Sequence, residues 1–242
     1  EIAFEKVSFR YGGGETDVLR NISFHIRPGE TVAIAGATGS AKSSLVQLIP
    51  RLYDVSAGEI RIDGIPVQDY NLRELHARIG MVLQKNELFT GTIAENLRWG
   101  KPDATQEELE VAARAAEAHE FICSLPAGYD TLLARGRINL SGGQKQRICI
   151  ARALLRKPKI LILDDSTSAV DSETELRIRN NLNAWLRDTT VLIITQRIYT
   201  MQSANRVILL DDGEIESIGT PEELLERSEM YREIYYSQQI VI

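Results

Sequence analysis

The sequence predicts an α/β fold built on a mostly parallel sheet that is flanked by helices. Three apolar runs, residues 31–35, 160–163 and 191–194, are continuous instead of alternating, which is typical of parallel strands covered on both faces. The first run leads into a loop rich in glycine and serine, residues 36–44, and this loop leads into a helical pattern. A strand, a loop and a helix in this order indicate a phosphate-binding site.

Alternating strands are predicted at the amino-terminal edge of this core, where apolar and polar side chains follow each other with a period of two. The alternating strands are predicted at residues 2–11 and 22–26, another strand and its turn at residues 59–64, and residues 79–83 are predicted to return to the sheet. The helix after the phosphate loop is expected to end near Leu52 and Tyr53. Asn71 and Glu74 have the spacing of a cap and its third residue, so a short helix should begin there.

A helical segment separates the two halves of the predicted sheet. Residues 85–157 are helical in pattern, and Thr105 with Glu108 forms a capping box for a helix that is expected to run to Ala118. After this segment we expect a helix at residues 172–187, a hairpin formed by residues 206–210 and 214–218, and final helices that begin at Thr220 with Pro221 in the first turn.

We therefore expect one domain that covers residues 1–242. Residues 1–84 and 158–242 would form the sheet core with an antiparallel β subdomain, and residues 85–157 would be an inserted helical subdomain. A chain of 242 residues is long enough for one large domain or for two small lobes that share a core.

Composition and charge disfavour several classes of partner. The formal net charge is −6, and no stripe of lysine and arginine interleaved with aromatics is present, which argues against DNA or RNA as the main partner. No apolar run reaches the roughly 18 residues of a membrane span, and no signal peptide is recognisable, so we expect a soluble domain. Cys123 and Cys149 lack metal or disulfide spacing, and we expect both to be buried thiols in a reducing compartment.

The loop at residues 36–44 suits the triphosphate of a nucleotide. Backbone N–H groups of such a loop, together with the positive end of the following helix, bind a polyanion; Lys42 would reach the β- and γ-phosphates, and the hydroxyl of Ser43 would bind Mg²⁺. The strict pattern G-x-x-x-x-G-K-[ST] fails only at Ala41. We expect alanine to be tolerated there if its φ is negative. The alternative is an ordinary turn that joins a strand to a helix.

A strand-end carboxylate supports the nucleotide site. Asp164 follows four apolar residues, and the end of a buried strand places it at the carboxyl edge of the sheet, beside the phosphate loop. A carboxylate there suits the binding of Mg²⁺ through water, as in P-loop NTPases. An ordinary aspartate at the end of a strand is the alternative.

A second anion-binding loop is predicted at residues 140–147. Ser141 and Gln144 have the spacing of a capping box, and two glycines follow Ser141 at the start of a helix. One nucleotide does not need two such loops from one chain. The second loop therefore suggests a nucleotide held by another subunit, and a plain helix cap is the alternative.

With these motifs the chain resembles the nucleotide-binding domain of ATP-binding cassette (ABC) transporters, of the exporter type, over essentially its full length. Residues 36–44 resemble the Walker A loop, and residues 160–164 resemble Walker B. Gln84 resembles the Q-loop glutamine of the family. Residues 140–144 resemble its signature motif, and residues 168–171 resemble its D-loop. The resemblance implies an ABC ATPase fold, which is an α/β P-loop NTPase core with an antiparallel β subdomain and an inserted α-helical subdomain.

The resemblance also implies which residues bind Mg-ATP. Tyr11 lies where the family stacks an aromatic ring on adenine, and its alternative is a surface aromatic at a strand end. The ATP-binding residues would be Tyr11, Val18, Gly36, Thr38, Gly39, Ser40, Ala41, Lys42, Ser43, Ser44, Gln84, Ser141, Gly142, Gly143 and Gln144. The Mg²⁺ ligands would be Ser43, Gln84 and Asp164.

Partners and location follow from the same resemblance. Residues 88–97 resemble the exporter segment that docks the coupling helices of the transmembrane domain, so the membrane spans were removed or lie on another part of the chain. The partners implied are these coupling helices and a second ABC nucleotide-binding domain, and the location implied is the cytoplasmic face of the cell membrane. The transported substrate is not readable from this chain.

The chain departs from the family pattern in the residues around its own nucleotide. Where the family has a glutamate as general base, this chain has Asp165, whose side chain reaches about 1.5 Å less far. Where the family has the switch histidine, this chain has Gln196, which can hydrogen-bond a γ-phosphate but carries no proton or positive charge near neutral pH. A glutamate often found before the signature is absent, with Ala134 and Arg135 in that neighbourhood.

These departures, with an intact signature, resemble the degenerate half of a heterodimeric exporter. We predict that Asp165 and Gln196 are degenerate catalytic residues, that this ATP hydrolase has low activity at its own site, and that its signature completes the site of a non-identical partner bound head to tail. One alternative is a module that dimerises with ATP without hydrolysing it. A chromosome or repair ATPase is disfavoured, because the chain has neither a heptad run nor a basic face.

Overall fold

The strands and helices of the chain are described from a computed structural model for residues 1–133, 140–165, 170–186 and 188–239. The strands are β1 (Ile2–Phe9), β2 (Leu19–Ile26), β3 (Thr31–Ala35), β4 (Ala57–Ile62), β5 (Ile65–Pro66), β6 (Ile79–Val82), β7 (Gly91–Thr92), β8 (Leu132–Leu133), β9 (Ile160–Asp164), β10 (Thr190–Ile194), β11 (Arg206–Asp211) and β12 (Glu214–Gly219). The α-helices are α1 (Lys42–Leu48), α2 (Leu72–Arg78), α3 (Ile93–Arg98), α4 (Gln106–Ala115), α5 (His119–Ser124), α6 (Gly142–Leu154), α7 (Ser172–Trp185), α8 (Ile198–Gln202), α9 (Pro221–Arg227) and α10 (Glu229–Gln239).

The alternating strands form an antiparallel sheet in the order β2-β1-β4-β5. Phe4 pairs with Phe24 on one side and with Ile60 on the other, and the two phenyl rings stack with centroids 4.5 Å apart. The inward-facing half of each alternating pattern is buried, which is why the period of two predicted these strands. The first strand ends at Phe9, two residues before the predicted end.

The continuous apolar runs form the centre of a six-stranded sheet with the order β12-β11-β3-β10-β9-β6. Every neighbouring pair is parallel except β11 and β12, which form the predicted hairpin. In β9, Ile160 and Ile162 pack into the core that holds α1, whereas Leu161 and Leu163 pack into the core of the helical segment. The run is continuous because both faces of the strand are covered.

Two helices end earlier than predicted, because a left-handed residue follows each of them. Helix α1 stops at Leu48, since Pro50 has no N–H to donate and Arg51 turns the chain with φ 55°. Helix α4 stops at Ala115, where Glu117 adopts φ 55° and the next N–H bonds back across the helix end. Both helix ends depend on a left-handed backbone at a residue other than glycine, which the sequence pattern does not indicate.

The predicted helix starts are confirmed. Thr105, Ser141 and Thr220 each form a complete capping box with the residue three positions later, and the side chain of Asn71 accepts two N–H bonds at the start of α2. The predicted α/β fold class is confirmed as well. The subdomain boundaries at residues 85 and 157 stay a prediction.

One expectation about the cysteines is wrong. Cys149 is buried, but Cys123 is exposed on the short helix α5, with its sulfur 3.6 Å from Nε2 of His119. Both are free thiols. Across the described ranges, no helix combines the length and the apolar composition needed to cross a membrane.

Candidate functional site

The phosphate loop begins at a glycine that no other residue can replace without a clash. Gly36 has φ 142°, and a Cβ atom built on it would lie 2.0 Å from the carbonyl oxygen of Leu210. The loop therefore leaves β3 against the neighbouring strand β11. This close approach fixes where the loop starts and where α1 begins.

Ala41 corrects an expectation about the loop. It is the N-cap of α1 and adopts φ 68° and ψ 20°, which is left-handed, so the condition under which alanine was expected to be tolerated, a negative φ, is not met. The loop has to turn sharply here, because the carbonyl of Ala41 already accepts the first helical bond from Leu45. An L-residue in this region costs roughly 1–2 kcal/mol. The side chain of Ala41 makes no cap hydrogen bond, so the first N–H groups of α1 have no partner from it.

Lys42 holds the loop together from inside. Its ammonium group donates to the carbonyl oxygens of Gly36, at 2.9 Å, and Ala37, at 2.7 Å, and to the hydroxyl of Ser40, at 3.1 Å. Burial lowers the pKa of Lys42, and the nearby carboxylates of Asp164 and Asp165 act in the opposite direction. An ammonium group held inside the loop is well placed to bind phosphate oxygens.

Ser43 and Asp164 meet on the other side of the same loop. The hydroxyl of Ser43 donates to Oδ1 of Asp164 over 3.1 Å, and Asp164 is only 3% exposed. Burial raises the pKa of Asp164, and the adjacent Asp165 adds to this, while Ser43 and Lys42 lower it. No cluster of three or more His, Cys, Asp or Glu side chains suited to a metal was found among the described residues. One carboxylate and one hydroxyl fit Mg²⁺, whose remaining ligands are typically waters and substrate phosphates.

Asp165 and Gln84 lie across the cleft from the loop. The backbone of Asp165 is left-handed, with φ 45°, and its N–H donates to the carbonyl of Ile194. Nε2 of Gln84 is 3.4 Å from Oδ2 of Asp165, a long hydrogen bond. This contact joins the residue after β9 to the segment that follows β6, next to Asp164.

These side chains share one cleft with a volume of about 320 Å³. The lining residues are Val18, Thr38, Gly39, Ala41, Lys42, Ser43, Ser44, Gln84, Asp164, Asp165, Ile194, Thr195 and Gln196. Ile194 and Thr195 are absent from the sequence-based prediction, although their place at the end of a buried run beside Gln196 was a usable signal. The assignment of roles to these residues stays a prediction.

Tyr11 lies at the edge of the cleft without lining it. Its hydroxyl and that of Ser44 are 2.9 Å apart, and its ring packs edge-on against Phe9 and Tyr53. The side chain is 38% exposed, so part of the ring remains open to a ligand. This position is compatible both with stacking on a base and with a surface aromatic.

The signature residues lie apart from this cleft. Ser141 Oγ accepts the N–H of Gln144, and Gln144 Oε1 accepts the N–H of Ser141, so the start of α6 satisfies two of its own groups. Ser141 and Gly142 are exposed, Gly143 and Gln144 are half-buried, and none of the four lines the cleft. The structure therefore does not bring the two predicted anion sites of the chain together.

The sequence and the fold of this chain are similar to those of known proteins. A family model described as ABC transporter matches residues 19–168. This chain belongs to the ABC transporter family. It is 53% identical, over 237 residues, to an uncharacterized ABC transporter ATP-binding protein, YfiB, of Bacillus subtilis strain 168, with 98% of this chain and 41% of that protein covered.

Two further matches concern transporters of this ABC family. The chain is 45% identical over 238 residues to an ATP-dependent lipid A-core flippase of Alkalilimnicola ehrlichii, covering 98% of this chain and 40% of that protein. A solved structure of a bacterial Atm1-family ABC exporter with ATP bound matches with a TM-score of 0.94 and 35% identity, over 98% of this chain and 42% of that one. The predicted ABC ATPase fold is confirmed. The chain spans about two fifths of the length of these relatives.

An ion pair between half-buried Arg197 and buried Glu175, which the sequence did not indicate, supports the segment after β10 of this ABC domain. Arg197 donates to Glu175 of α7, to the hydroxyl of Tyr199 and to the carbonyl of Val170. Glu175 is 4% exposed and also accepts from Tyr199 and Thr200. The pair ties the residue after Gln196 to the predicted D-loop segment, of which Ser168 and Ala169 lie outside the described residues, as do Ala134 and Arg135.

A separate groove of about 400 Å³ lies beside the segment predicted to dock coupling helices. Its wall includes Leu52, Phe89 and Trp99, which are 49%, 47% and 65% exposed, and the last two rings lie 4.8 Å apart. The buried amide of Asn96 bonds both the N–H and the carbonyl of Phe89 and so fixes the loop. The guanidinium of Arg152 lies 5.7 Å above the Phe89 ring.

Proposed function

We propose that this ABC domain binds Mg-ATP in the cleft at residues 36–44 and pairs head to tail with a second, non-identical ABC domain to power export. Its own site would be degenerate, and its signature would complete the catalytic site of the partner. The observation that carries the proposal is that Asp165 and Gln196 line the same cleft as Lys42 and Asp164. The departures from the family pattern therefore surround one nucleotide.

The proposed binding of Mg-ATP rests on four side chains with separate tasks. Lys42 would neutralise the β- and γ-phosphate oxygens, because its ammonium group is already placed inside the loop. The hydroxyl of Ser43 and the oxygens of Gln84 and Asp164 would hold Mg²⁺, which bridges the phosphates and offsets their charge. Tyr11 would stack on the base, and Val18 would line the site beside it.

The proposed loss of hydrolysis at this site rests on the short side chain of Asp165 and on the uncharged side chain of Gln196. Attack on the γ-phosphate needs a group that orients water, and Asp165 is one methylene shorter than the glutamate usual in the family. A misplacement of about 1 Å can cost on the order of a hundredfold in rate. Gln196 could bond the γ-phosphate but could not supply positive charge there.

The proposed role of the signature rests on its exposure. The start of α6 lies outside the chain's own cleft, with Ser141 and Gly142 exposed, and a helix of 13 residues presents its positive end to a ligand there. A second ABC domain bound head to tail would place its γ-phosphate there. We also propose that residues 1–84 and 158–242 form the core and that residues 85–157 carry the signature as a helical subdomain.

The membrane partner is proposed from the exposed aromatic groove. Coupling helices of a transmembrane domain would pack apolar side chains against the exposed faces of Phe89 and Trp99, at the cytoplasmic face of the membrane. Relatives of more than twice this length include a flippase and proteins named as putative multidrug exporters, which supports an export role.

Phosphate release from an assembled transporter tests the proposal. Asp165→Ala should change steady-state hydrolysis only mildly, because a group that cannot position water has little rate to lose. Ser141→Arg should be severe, since it places bulk and charge where the partner's γ-phosphate would bind. If Asp165→Ala stopped turnover and Ser141→Arg left it intact, this chain's own site would be the working one.

A module that dimerises with ATP but never hydrolyses it is the second candidate. The short side chain of Asp165 agrees with it at this chain's own site, since the group that would orient water is displaced there. Hydrolysis measured with and without a partner domain separates the two: turnover that appears only with the partner supports the ATPase proposal, and none in either mixture supports the second candidate.

A further inference from the structure

The loop that carries Gln196 is held by a residue of the last helix. The side-chain amide of Gln238 on α10 makes two hydrogen bonds to this loop. Its Nε2 donates to the carbonyl of Gln196 over 2.6 Å, and its Oε1 accepts the N–H of Ile198 over 2.9 Å. Residues 42 positions apart in the chain are thereby joined beside the cleft.

The second of these bonds replaces a missing helix cap. Helix α8 begins at Ile198, and Arg197, at its N-cap, makes no side-chain cap bond. The N–H of Ile198 would otherwise be one of the unpaired groups at a helix start. Gln238 of α10 supplies the acceptor, so the first N–H group of α8 is capped by a residue that is distant in the sequence.

The chemistry of the two partners requires an amide at position 238. A carbonyl can only accept and an N–H can only donate, so the side chain between them must do both. Glutamate has the same length but, when ionised, only accepts, and its charge would face the carbonyl of Gln196. Alanine reaches neither group.

Helix α10 is docked by contacts that do not involve Gln238. Tyr231 is buried, and Ile234 and Tyr235 pack against the same apolar cluster as Ile198 and Met201 of α8. The loop is thus tied to a helix that is already anchored, so the amide of Gln238 adds to the contacts of Arg197 in positioning the backbone that carries Gln196.

We propose that Gln238 is a positioning residue that holds the backbone of Gln196 in place for the γ-phosphate, and this inference rests on the proposed role of Gln196 in binding ATP. Two hydrogen bonds of Gln238 then connect helix α10 to the loop that lines the nucleotide cleft. Because ADP lacks the γ-phosphate, the effect of Gln238 should be specific for ATP.

The test compares Gln238→Ala and Gln238→Glu with Gln239→Ala, a neighbouring exposed glutamine that has no hydrogen-bond partner within the described part of the chain. Amide hydrogen exchange of residues 195–199 should become about tenfold faster in Gln238→Ala, which loses both hydrogen bonds, and should accelerate less in Gln238→Glu, which can still accept the N–H of Ile198. Exchange within α9 should not change. The control should match the wild type.

Calorimetric titration with Mg-ATP and with Mg-ADP completes the test. We expect about a threefold weaker affinity for ATP in the Gln238 variants and an unchanged affinity for ADP, whereas a merely structural role would weaken both or neither. Unchanged exchange at residues 195–199, or equal losses for ATP and ADP, would overturn the inference. A Gln196→Ala variant that bound ATP like the wild type would overturn the proposed role of Gln196, and the exchange experiment would still decide whether Gln238 holds the loop.

Discussion

The two helices that start at predicted anion sites, α1 and α6, begin in opposite ways. At α6, Ser141 and Gln144 satisfy each other's backbone groups in a complete capping box with ordinary extended geometry at the cap. At α1, the cap is Ala41, which has a left-handed backbone and no side-chain bond, and the residue after it is a buried lysine.

The difference shows where the structure holds strain. The start of α6 is stable by itself, because its sequence satisfies its own hydrogen bonds. The start of α1 combines an unfavourable backbone at Ala41 with a buried ammonium group and a buried carboxylate at Asp164, and a bound polyanion with its cation would compensate the two buried charges. Strain concentrated at one of two otherwise similar helix starts is typical of a ligand site.

Removing the lysine should have the largest effect. Lys42→Ala should weaken Mg-ATP binding by at least about a hundredfold, because truncating one partner of a buried charged contact typically costs several kcal/mol. Isothermal titration calorimetry on the wild type and the variant measures this. Lys159→Ala, an exposed lysine at the start of β9, is the matched control and should bind normally. Equal affinities for wild type and Lys42→Ala would show that the loop is not the phosphate site.

Asp164→Asn should separate stability from binding. A raised pKa means that folded Asp164 binds a proton more tightly than unfolded Asp164, so its ionised form destabilises the unliganded fold at neutral pH, and this penalty is lost as pH falls through the folded pKa. The variant should therefore unfold at higher urea concentration at neutral pH and bind Mg-ATP about ten to a hundred times more weakly. Its gain in stability should vanish at acid pH.

A second measurement and a control complete this prediction. In the wild type, Mg-ATP affinity should fall as pH drops through the pKa of Asp164, because the proton competes with the cation. Asp103→Asn, an exposed aspartate before α4, should change neither stability nor affinity. A variant Asp164→Asn that was less stable than the wild type at neutral pH would contradict the assigned penalty.

The sequence predicted α6 better than α1 because the capping box is a local device. Thr105, Ser141 and Thr220 start helices through a partner three residues away, which a pattern of four residues records completely. The φ of Ala41 depends instead on how β3 meets α1 in the folded protein, and an alanine there predicts the opposite sign.

The same contrast applies to the cleft. Lys42, Ser43 and Asp164 were predicted because motifs place Asp164 at the end of one strand and Lys42 and Ser43 in the first turn of the helix that follows another, where the topology of a parallel sheet brings them together. The pair of Arg197 and Glu175 and the amide of Gln238 join segments that are 22 and 42 residues apart, with no repeated pattern to reveal them. The exposure of Cys123 was missed for the same reason, since one residue of a short helix does not indicate which face it occupies.

Ser141→Ala tests how much the capping box at the start of α6 contributes to stability. Loss of the N-cap oxygen should lower the free energy of unfolding by about 1 kcal/mol, measured by urea denaturation, because the N–H of Gln144 loses its acceptor. ATP affinity of the chain without a partner should not change, since Ser141 does not line the cleft. Ser124→Ala, whose hydroxyl bonds only a carbonyl in its own helix, is the control. A drop in ATP affinity of the unpartnered Ser141→Ala variant would mean that the two anion sites are linked within one chain.

Ala41→Gly should have the smallest effect and the opposite sign. Glycine adopts φ 68° without the Cβ penalty, so the folded state should gain roughly 1–2 kcal/mol. The unfolded chain also becomes more flexible, which removes about 0.4–1 kcal/mol of that gain, and the loss of a partly buried methyl group reduces it further. A net increase of about 0.5 kcal/mol in the free energy of unfolding is therefore expected, resolvable by urea denaturation of both proteins. Ala37→Gly, in the same loop but without a left-handed backbone, should be neutral or destabilising. If Ala41→Gly destabilised the protein as much as Ala37→Gly, the left-handed turn at the start of α1 would not be a source of strain, and the contrast between the two helix starts would reduce to their side-chain caps.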